Sequence, residues 1–273
     1  MSIKISPLAR KLGTFVALSD PELALLERLH QRRRVFVAGK DLVQQGQSRQ
    51  TAYILAKGWA VSYKILEDGG RQIVDFQIPG DFLGLRSTLL RLSDQSIEAV
   101  TDIEVSEVLL SELLGAVGEN IKLPTAVLWA ASRDEAMVVE HLVNIGRRDA
   151  SKRLAHFLLE LGVRLSLVGI GTTKGYECPL TQYLLADTLG LSAVHINRSL
   201  RQLRENGLVT FQGGQVVFDD HARLVEFANF DPAYLDQSGP LMEIAPVRQS
   251  RPINTRITRM ISTVPSTPIP AWP

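Results

Sequence analysis

The sequence predicts an α+β chain: a small antiparallel β-barrel or sandwich, then a long amphipathic helix, then a helix-turn-helix. Three observations predict it. From Arg34 to about Leu110, short runs rich in Val, Ile, Phe and Tyr alternate with Gly and Asp turns, the spacing of a small antiparallel β fold. From Leu128 to Ile145, apolar residues step by threes and fours, as on one face of a helix. From Leu180 to Leu208, "LTQYLLADTLGLSAVHINRSLRQLRENGL", two short helical patterns meet at a Gly-Leu-Ser joint.

Residues 19–30, "SDPELALLERLH", read as an amphipathic helix with Ser19 or Asp20 as N-cap, Pro21 in the first turn and Leu23, Leu26 and Leu29 on one face. In the β region, "EDGGR" between "VSYKIL" and "QIVDFQI" marks a hairpin, because glycine accepts the positive φ that tight hairpins need. The helix that follows carries Leu128, Ala131, Val138, Leu142 and Ile145, interrupted by Glu135. So narrow a stripe suits a helix paired with a second copy of itself; packing on its own β domain is the other reading. "ASKRLAHFLLELGVRL" gives a further helix with Leu154, Phe157, Leu158 and Leu161 on one face, and "VGIGTTKGYECP" reads as a glycine-rich loop whose "GIG" lacks the context of a phosphate-binding turn. After the helix-turn-helix, "LVTFQGGQVVF" is a hairpin turning at Gly213-Gly214. The stretch from Asp231 to Pro273 holds eight of the thirteen prolines and no periodicity, and reads as a disordered tail.

Composition excludes several functions. Apolar residues at 45% and charged residues at 22% are those of a soluble globular chain, and a net charge of +1 announces no partner. Residues 147–207, however, contain nine Lys/Arg against five Asp/Glu: either a solvated helical surface or a face for a polyanion. A single cysteine, Cys178, allows neither an internal disulfide nor a cysteine-ligated cluster and fits a reducing cytoplasm. The start, "MSIKISPLARKLG", lacks a long apolar run, and no stretch reaches about eighteen uninterrupted apolar residues, which argues against secretion and against a membrane span.

In the opening pair of helical patterns, Thr181 is the expected N-cap of a helix over Gln182–Leu189, Gly190 the sharp turn, and Ser192 the cap of a second helix reaching about Asn206. Leu185, Ala186, Leu189, Leu191, Ile196, Leu200 and Leu203 would hold the two together. Such a pair presents the N-terminal half of its second helix outward, here Ala193, Val194, His195, Asn197 and Arg198, with Arg201 one turn later. A DNA major groove accepts one helix; arginine can pair with guanine O6 and N7, and asparagine with adenine. Taken alone, Arg198 and Arg201 would be solvated charges; joint, caps, basic half-helix and trailing hairpin together point to double-stranded DNA.

Over residues 15–230 the chain resembles the Crp/Fnr family of bacterial transcription regulators. The resemblance is carried by "AGKDLVQQGQ", "YILAKGWAVSY" and "PGDFLGL", by "GRRDASKRLAHFLLEL", and by "LADTLGLSAVHINRSLRQLRENGLV". It implies a double-stranded β-roll over 15–115, a dimerisation helix over 120–148 and a winged helix-turn-helix over 149–230, in a homodimer that binds a two-fold symmetric site and works with RNA polymerase. Arg198 matches the family's guanine-contacting arginine. Val194 stands where many members carry a base-reading glutamate, and Ala193 replaces another frequent basic position. Thr181, Ser192 and His195 fall where relatives approach the DNA backbone or nearby bases.

The resemblance also marks an effector pocket at Gly80, Gly84, Leu85, Gln95 and Ser96. Members that bind cyclic nucleotides place a ribose-contacting glutamate where this chain has Leu85, and a phosphate-neutralising arginine where it has Gln95. Without that cation a buried phosphate stays unpaired, at a cost of several kcal/mol, so cyclic AMP is not the expected ligand; an unidentified small molecule, or none, is. The oxygen-sensing members hold an iron–sulfur cluster on several cysteines, which one cysteine cannot do. His30 and His141 are the histidines before the DNA-binding half, and a lone histidine is more often a core or surface residue than a haem ligand. A cupin-like metalloenzyme would need histidines inside the barrel; residues 34–110 contain none. No cofactor, no membrane and no enzymatic activity are expected.

Overall fold

The computed structural model describes residues 6–48, 51–109 and 122–235. The chain begins with α1 (Pro7–Phe15), for which the sequence reading had assigned no element. Ser6 caps it by accepting the Ala9 N–H at 3.2 Å, and Pro7 stands where no N–H is needed. Leu8, Leu12 and Phe15 fall on one face and are buried. Helix α2 (Asp20–Leu29) follows as expected, its start fixed by the Ser19 N–H donating to the Glu22 carboxylate at 2.7 Å.

Eight strands form the β domain: β1 (Arg33–Phe36), β2 (Asp41–Val43), β3 (Ala52–Lys57), β4 (Ala60–Ile65), β5 (Arg71–Gln77), β6 (Phe82–Leu83), β7 (Ser96–Ala99) and β8 (Ile103–Val108). They make two antiparallel four-stranded sheets, ordered β1-β8-β3-β6 and β2-β7-β4-β5. Val43, Ala60, Ile97 and Ala99 from one sheet meet Tyr53, Leu55, Leu83 and Val105 from the other, so the double-sheet roll is closed by its own apolar interior. The β4–β5 hairpin turns through Gly69 at φ +82°. At Gly58, φ is +85° and a Cβ would overlap the Asp102 carbonyl, so only glycine fits the β3–β4 turn.

Helix α3 (Lys122–Arg147) has 26 residues, about 39 Å of helix. One face, Leu123, Ala126, Ala130, Arg133 and Met137, is buried; Phe15 of α1 stacks on Trp129 beside it at 4.6 Å. The other face carries Leu128 (67% exposed), Val138, Val139 and Leu142 (72% exposed), so the predicted stripe does not pack on the chain's own β domain. Helix α4 (Ala150–Leu167) is capped by Asp149, which accepts the Ser151 and Lys152 N–H groups. It is buried on nearly every side, more than a one-faced pattern predicts.

The remainder comprises β9 (Gly175–Glu177), α5 (Gln182–Leu189), α6 (Ala193–Glu205), β10 (Val209–Gln212), β11 (Gln215–Phe218) and α7 (His221–Ala228). The glycine-rich loop thus contains a strand: β9 pairs with β11, Tyr176 opposite Val216, to give the sheet β10-β11-β9. The assignment of everything after Asp231 to a disordered tail is also corrected at its start. Pro232–Leu235 form a 3₁₀ turn, anchored because Leu235 is buried and the Tyr234 hydroxyl donates to Glu160 at 2.8 Å; the rest of that tail lies outside the described residues. One apolar cluster runs from Trp59, Ile73 and Phe76 of the roll through Met137 and Phe157 to Ile196 and Leu203.

Candidate nucleic-acid interface

Local chemistry fixes the two short helices. Thr181 Oγ1 accepts the Leu184 N–H at 3.2 Å and starts α5; Gly190 leaves it at φ +60°, ψ +40°; Ser192 Oγ accepts the His195 N–H at 3.3 Å and starts α6. The sequence placed these caps and the turn correctly. Arg153 of α4 holds the joint, donating to the Leu189 carbonyl at 2.6 Å and to the Ile145 carbonyl at 2.7 Å, which satisfies end-of-helix acceptors of α5 and α3 together. Ser151 Oγ donates to Gln202 Oε1 at 2.7 Å and fixes the far half of α6.

Ile196, Ser199 and Leu203 form the buried side of α6. At roughly 100° per residue, Val194, Asn197, Arg198 and Arg201 fall within one arc on the opposite side, and all four are exposed. Val194 is 72% exposed. His195 sits at the edge of the arc, its Nδ1 2.9 Å from Ser192 Oγ. Thr181 and Ser192 are exposed at the two helix starts, and Tyr183, 75% exposed, stands beside Thr181. Sequence reasoning missed Glu205, which closes the arc at its C-terminal end and pairs with Arg201 at 3.4 Å; the i, i+4 spacing was its signal. The β10–β11 hairpin, turning at Gly213-Gly214, extends beside α6 as a wing.

The five effector-pocket residues are not gathered on one wall. Gly84 lies beside Ile97, and Ser96 Oγ accepts the Gln45 N–H at 3.0 Å. Gln95 Oε1 is buried without a hydrogen-bond partner. Gly80 is instead covered by α1, since a Cβ there would meet the Pro7 carbonyl at 3.0 Å, and Leu85 packs into the apolar cluster of Leu8, Leu12 and Leu123. The nearby cation Arg86 is committed to Asp94 at 2.5 Å. The two early histidines make structural bonds: His30 Nδ1 lies 3.0 Å from the Leu26 carbonyl, and His141 Nε2 lies 2.8 Å from Glu160 Oε1. Cys178 is buried, which pushes its thiol up to about 12. Among the described residues no group of three or more His, Cys, Asp and Glu could hold a metal, and no helix is long and apolar enough to cross a membrane.

Between the roll and the helix-turn-helix lies a buried set of charges. Arg164 of α4 donates to Asp75 Oδ1 at 3.0 Å, to Asp81 Oδ2 at 3.0 Å and to the Phe76 carbonyl at 2.6 Å. Lys11 of α1 donates to the other Asp81 oxygen at 2.7 Å. Burial pushes the Asp81 carboxyl up, but Lys11 and Arg164 more than reverse this and hold it at about 2. Burial likewise disfavours charged His141, yet Glu160 beside it raises the imidazole to about 9, and His141 and Arg164 hold Glu160 at about 2. His156, packed against Phe230, is pushed down to about 4 by burial and by Arg148. Nearer the surface, Arg71 of β5 donates to Asp187 of α5 at 2.9 Å, and Gln72 Nε2 to the Thr188 carbonyl at 3.2 Å. These contacts tie the first helix of the DNA-binding pair directly to the roll.

Known proteins resemble the chain in both halves. Residues 33–120 match the family model for the cyclic nucleotide-binding domain, and residues 152–227 that for the Crp-like helix-turn-helix domain. The nitrogen fixation regulation protein FixK of Bradyrhizobium diazoefficiens is 31% identical over 214 residues, covering 78% of this chain and 88% of that protein. The fumarate and nitrate reduction regulatory protein of Vibrio cholerae is 25% identical over 211 residues, covering 77% and 84%. Among solved structures, FixK2 of Bradyrhizobium japonicum superposes with a TM-score of 0.64 at 28% identity, covering 71% of this chain and 96% of that one.

Proposed function

Because the chain belongs to the Crp/Fnr family of transcription regulators, DNA-binding proteins and not enzymes, we propose that it binds a two-fold symmetric promoter site as a homodimer and regulates transcription with RNA polymerase in the cytoplasm. The observation that carries this reading is the exposed arc of α6, Val194, Asn197, Arg198 and Arg201, set opposite its buried side and flanked by a wing. The arc enters the major groove, Arg198 pairing with a guanine and Asn197 with an adenine. Thr181, Ser192 and His195 meet the DNA backbone or the bases beside it, where the N–H groups of helix starts favour phosphate. The exposed stripe of α3, Leu128, Ala131, Val138 and Leu142, supports pairing with a second copy, with half-buried Ile145 at its end.

Selection of bound duplexes from random oligonucleotides by the purified full chain tests the proposal. Enrichment of an inverted repeat with half-site centres about 10 base pairs apart is expected. Enrichment of nothing, or of an unpaired half-site, would overturn it.

A second reading, DNA binding gated by a small molecule in the roll, is favoured by the direct bonds of Arg71 and Gln72 to α5. A strand that grips the helix-turn-helix can transmit a change in the roll to the DNA-binding face. Purified protein that shifts its selected site without additives would leave only the ungated reading.

A further inference from the structure

We propose that the outer face of the roll carries a binding site for a small zwitterion of the α-amino-acid class. It lies in the cleft between the start of α1 and the end of α2, where Lys57 takes the carboxylate, and Glu27 and His30 the ammonium group. The proposal does not depend on the DNA reading.

The cleft has a volume of about 360 Å³, room for one small molecule, and its walls are the start of α1, the end of α2 and strands β1, β3 and β8. Ile54 of β3 packs under the two helices, while Tyr53 and Leu55 face the interior of the roll. The cleft is therefore on the face of the sheet away from the interior cluster of Val43 and Ile97, beside which Gly84 sits.

Its polar groups are sorted by charge. Helix α1 packs against β3, and α2 against β8. On the α1 side stand the positive end of that helix and Lys57, whose side chain forms no ion pair or hydrogen bond among the described residues. On the α2 side stand the negative end of that helix, Glu27, whose carboxylate also forms no ion pair among them, and His30. Arg33 and Glu104, in the wall as well, neutralise each other at 2.7 Å.

His30 is 4% exposed. Its Nδ1 donates to the Leu26 carbonyl at 3.0 Å, so Nε2 is a lone-pair acceptor. Burial lowers the imidazole pKa, which keeps this neutral form. Nε2 is buried with no hydrogen-bond partner, an arrangement that costs stability until a donor arrives. Glu27 lies one turn earlier on the same helix, so a carboxylate and an imidazole acceptor share one face. A carboxylic acid would satisfy Lys57 alone, and an amine would satisfy only Glu27 and His30. An α-amino acid satisfies all three, and its side chain takes the remaining volume.

The experiment uses the full chain. Titration calorimetry with each standard L-amino acid in turn, at millimolar concentration, is expected to give saturable heat for at least one. Lys57→Met and Glu27→Gln, both at exposed positions, should unfold like the parent chain and weaken that binding by about tenfold or more. The amide of the same amino acid, which lacks the carboxylate, and its N-acetyl form, which lacks the ammonium group, should bind the parent chain about tenfold more weakly. With isotope-labelled histidine, the ring-nitrogen resonance that is absent from His30→Gln should move on binding, because Nε2 gains a donor, while those of the remaining histidines stay in place. No saturable heat with any standard L-amino acid overturns the proposal. So does binding that survives intact in both exposed variants, or that leaves the His30 resonance unmoved, because the ligand then lies elsewhere. Acetate or methylamine binding as tightly as the amino acid overturns the zwitterion assignment.

Discussion

Replacing Arg164 with methionine keeps the apolar stem and removes the guanidinium that joins α4 to three groups of the roll. These three, and Glu160 one turn away on α4 itself, do not suffer equally. Asp81 keeps Lys11 at 2.7 Å and the Ile78 N–H at 2.9 Å, and Glu160 keeps His141 and Tyr234. Asp75 retains the Gln77 amide at 3.3 Å and the more distant charge of His141, and the buried Phe76 carbonyl loses its 2.6 Å donor. Breaking a buried ion pair by removing one partner costs about 3–5 kcal/mol; with two of the carboxylates still partnered, the lower end, about 3 kcal/mol, is expected. Burial already raises the Asp75 carboxyl, and without Arg164 it rises further. The folded variant then holds a proton that the unfolded chain releases, so its deficit shrinks as pH falls. The assay is urea unfolding at one fixed protein concentration, at pH 7 and pH 5, for the parent chain, Arg164→Met, Asp75→Asn and the double variant. The double variant should recover about 1 kcal/mol or more relative to the sum of the singles. A loss below about 1 kcal/mol at pH 7, or additive singles, would refute the claim that Arg164 and Asp75 form one buried unit.

Five further outcomes are expected. His141, raised to about 9 by Glu160, contributes stability that is complete below its ordinary 6.5 and lost as pH rises through 9; His156, lowered to about 4, contributes stability that is complete above 6.5 and lost as pH falls through 4. The unfolding free energy of the parent chain should fall as pH rises from 6.5 to 9, and His141→Gln should flatten that limb; a parent profile flat from 6.5 to 9 contradicts this. Val138→Glu with Leu142→Glu should give a monomer in sedimentation and weaken DNA binding by tenfold or more, and a parent chain that sediments as a monomer at micromolar concentration would refute the paired-helix reading. Arg198→Ala should cost about 1–3 kcal/mol on the best site and relax discrimination at one base pair per half-site. Arg201→Ala, whose parent side chain is already tethered to Glu205, should weaken all sequences alike and lower the salt slope by about one per subunit; equal small effects of the two on every sequence would return both to solvated charges. Calorimetry with millimolar cyclic AMP should show no saturable heat, since Gln95 supplies no cation for the phosphate; a sub-micromolar dissociation constant would refute that account.

What the sequence disclosed was what local chemistry decides. The helix-turn-helix was legible to the residue because Thr181, Gly190 and Ser192 act within three or four positions of themselves. The α3 stripe was legible because a period needs no knowledge of its partner. Strand β9 was hidden: three residues with one apolar side chain make no pattern, and the strand exists because β11 pairs with it. Helix α1 carried a usable signal, the Ser6-Pro7 start and the Leu8, Leu12, Phe15 spacing, but it is nine residues long with two cations, one of which, Lys11, is buried against Asp81. The same limit hid the ionic cluster. Asp75 and Asp81 lie 89 and 83 positions from Arg164, and the one local hint was a Glu160–Arg164 pair inside an otherwise apolar run. Nor could local pattern show that α1 lies against Gly80.

One family model ends at residue 120 and the other begins at 152, near the start of α4, which invites treating the stretch between them as a seam at which regulators exchange sensors. The apolar cluster that crosses it, and the arginine of one half seated among the carboxylates of the other, make the seam a lock with a specific key. A sensor transplanted without matching charges on β5 and the turn after it would bury Arg164 unpaired, and the hybrid would lose stability before any question of signalling arose. Strand β5, α1 and α4 are joined through these contacts, so the unit that must fold together is larger than either of the modules by which the chain is recognised.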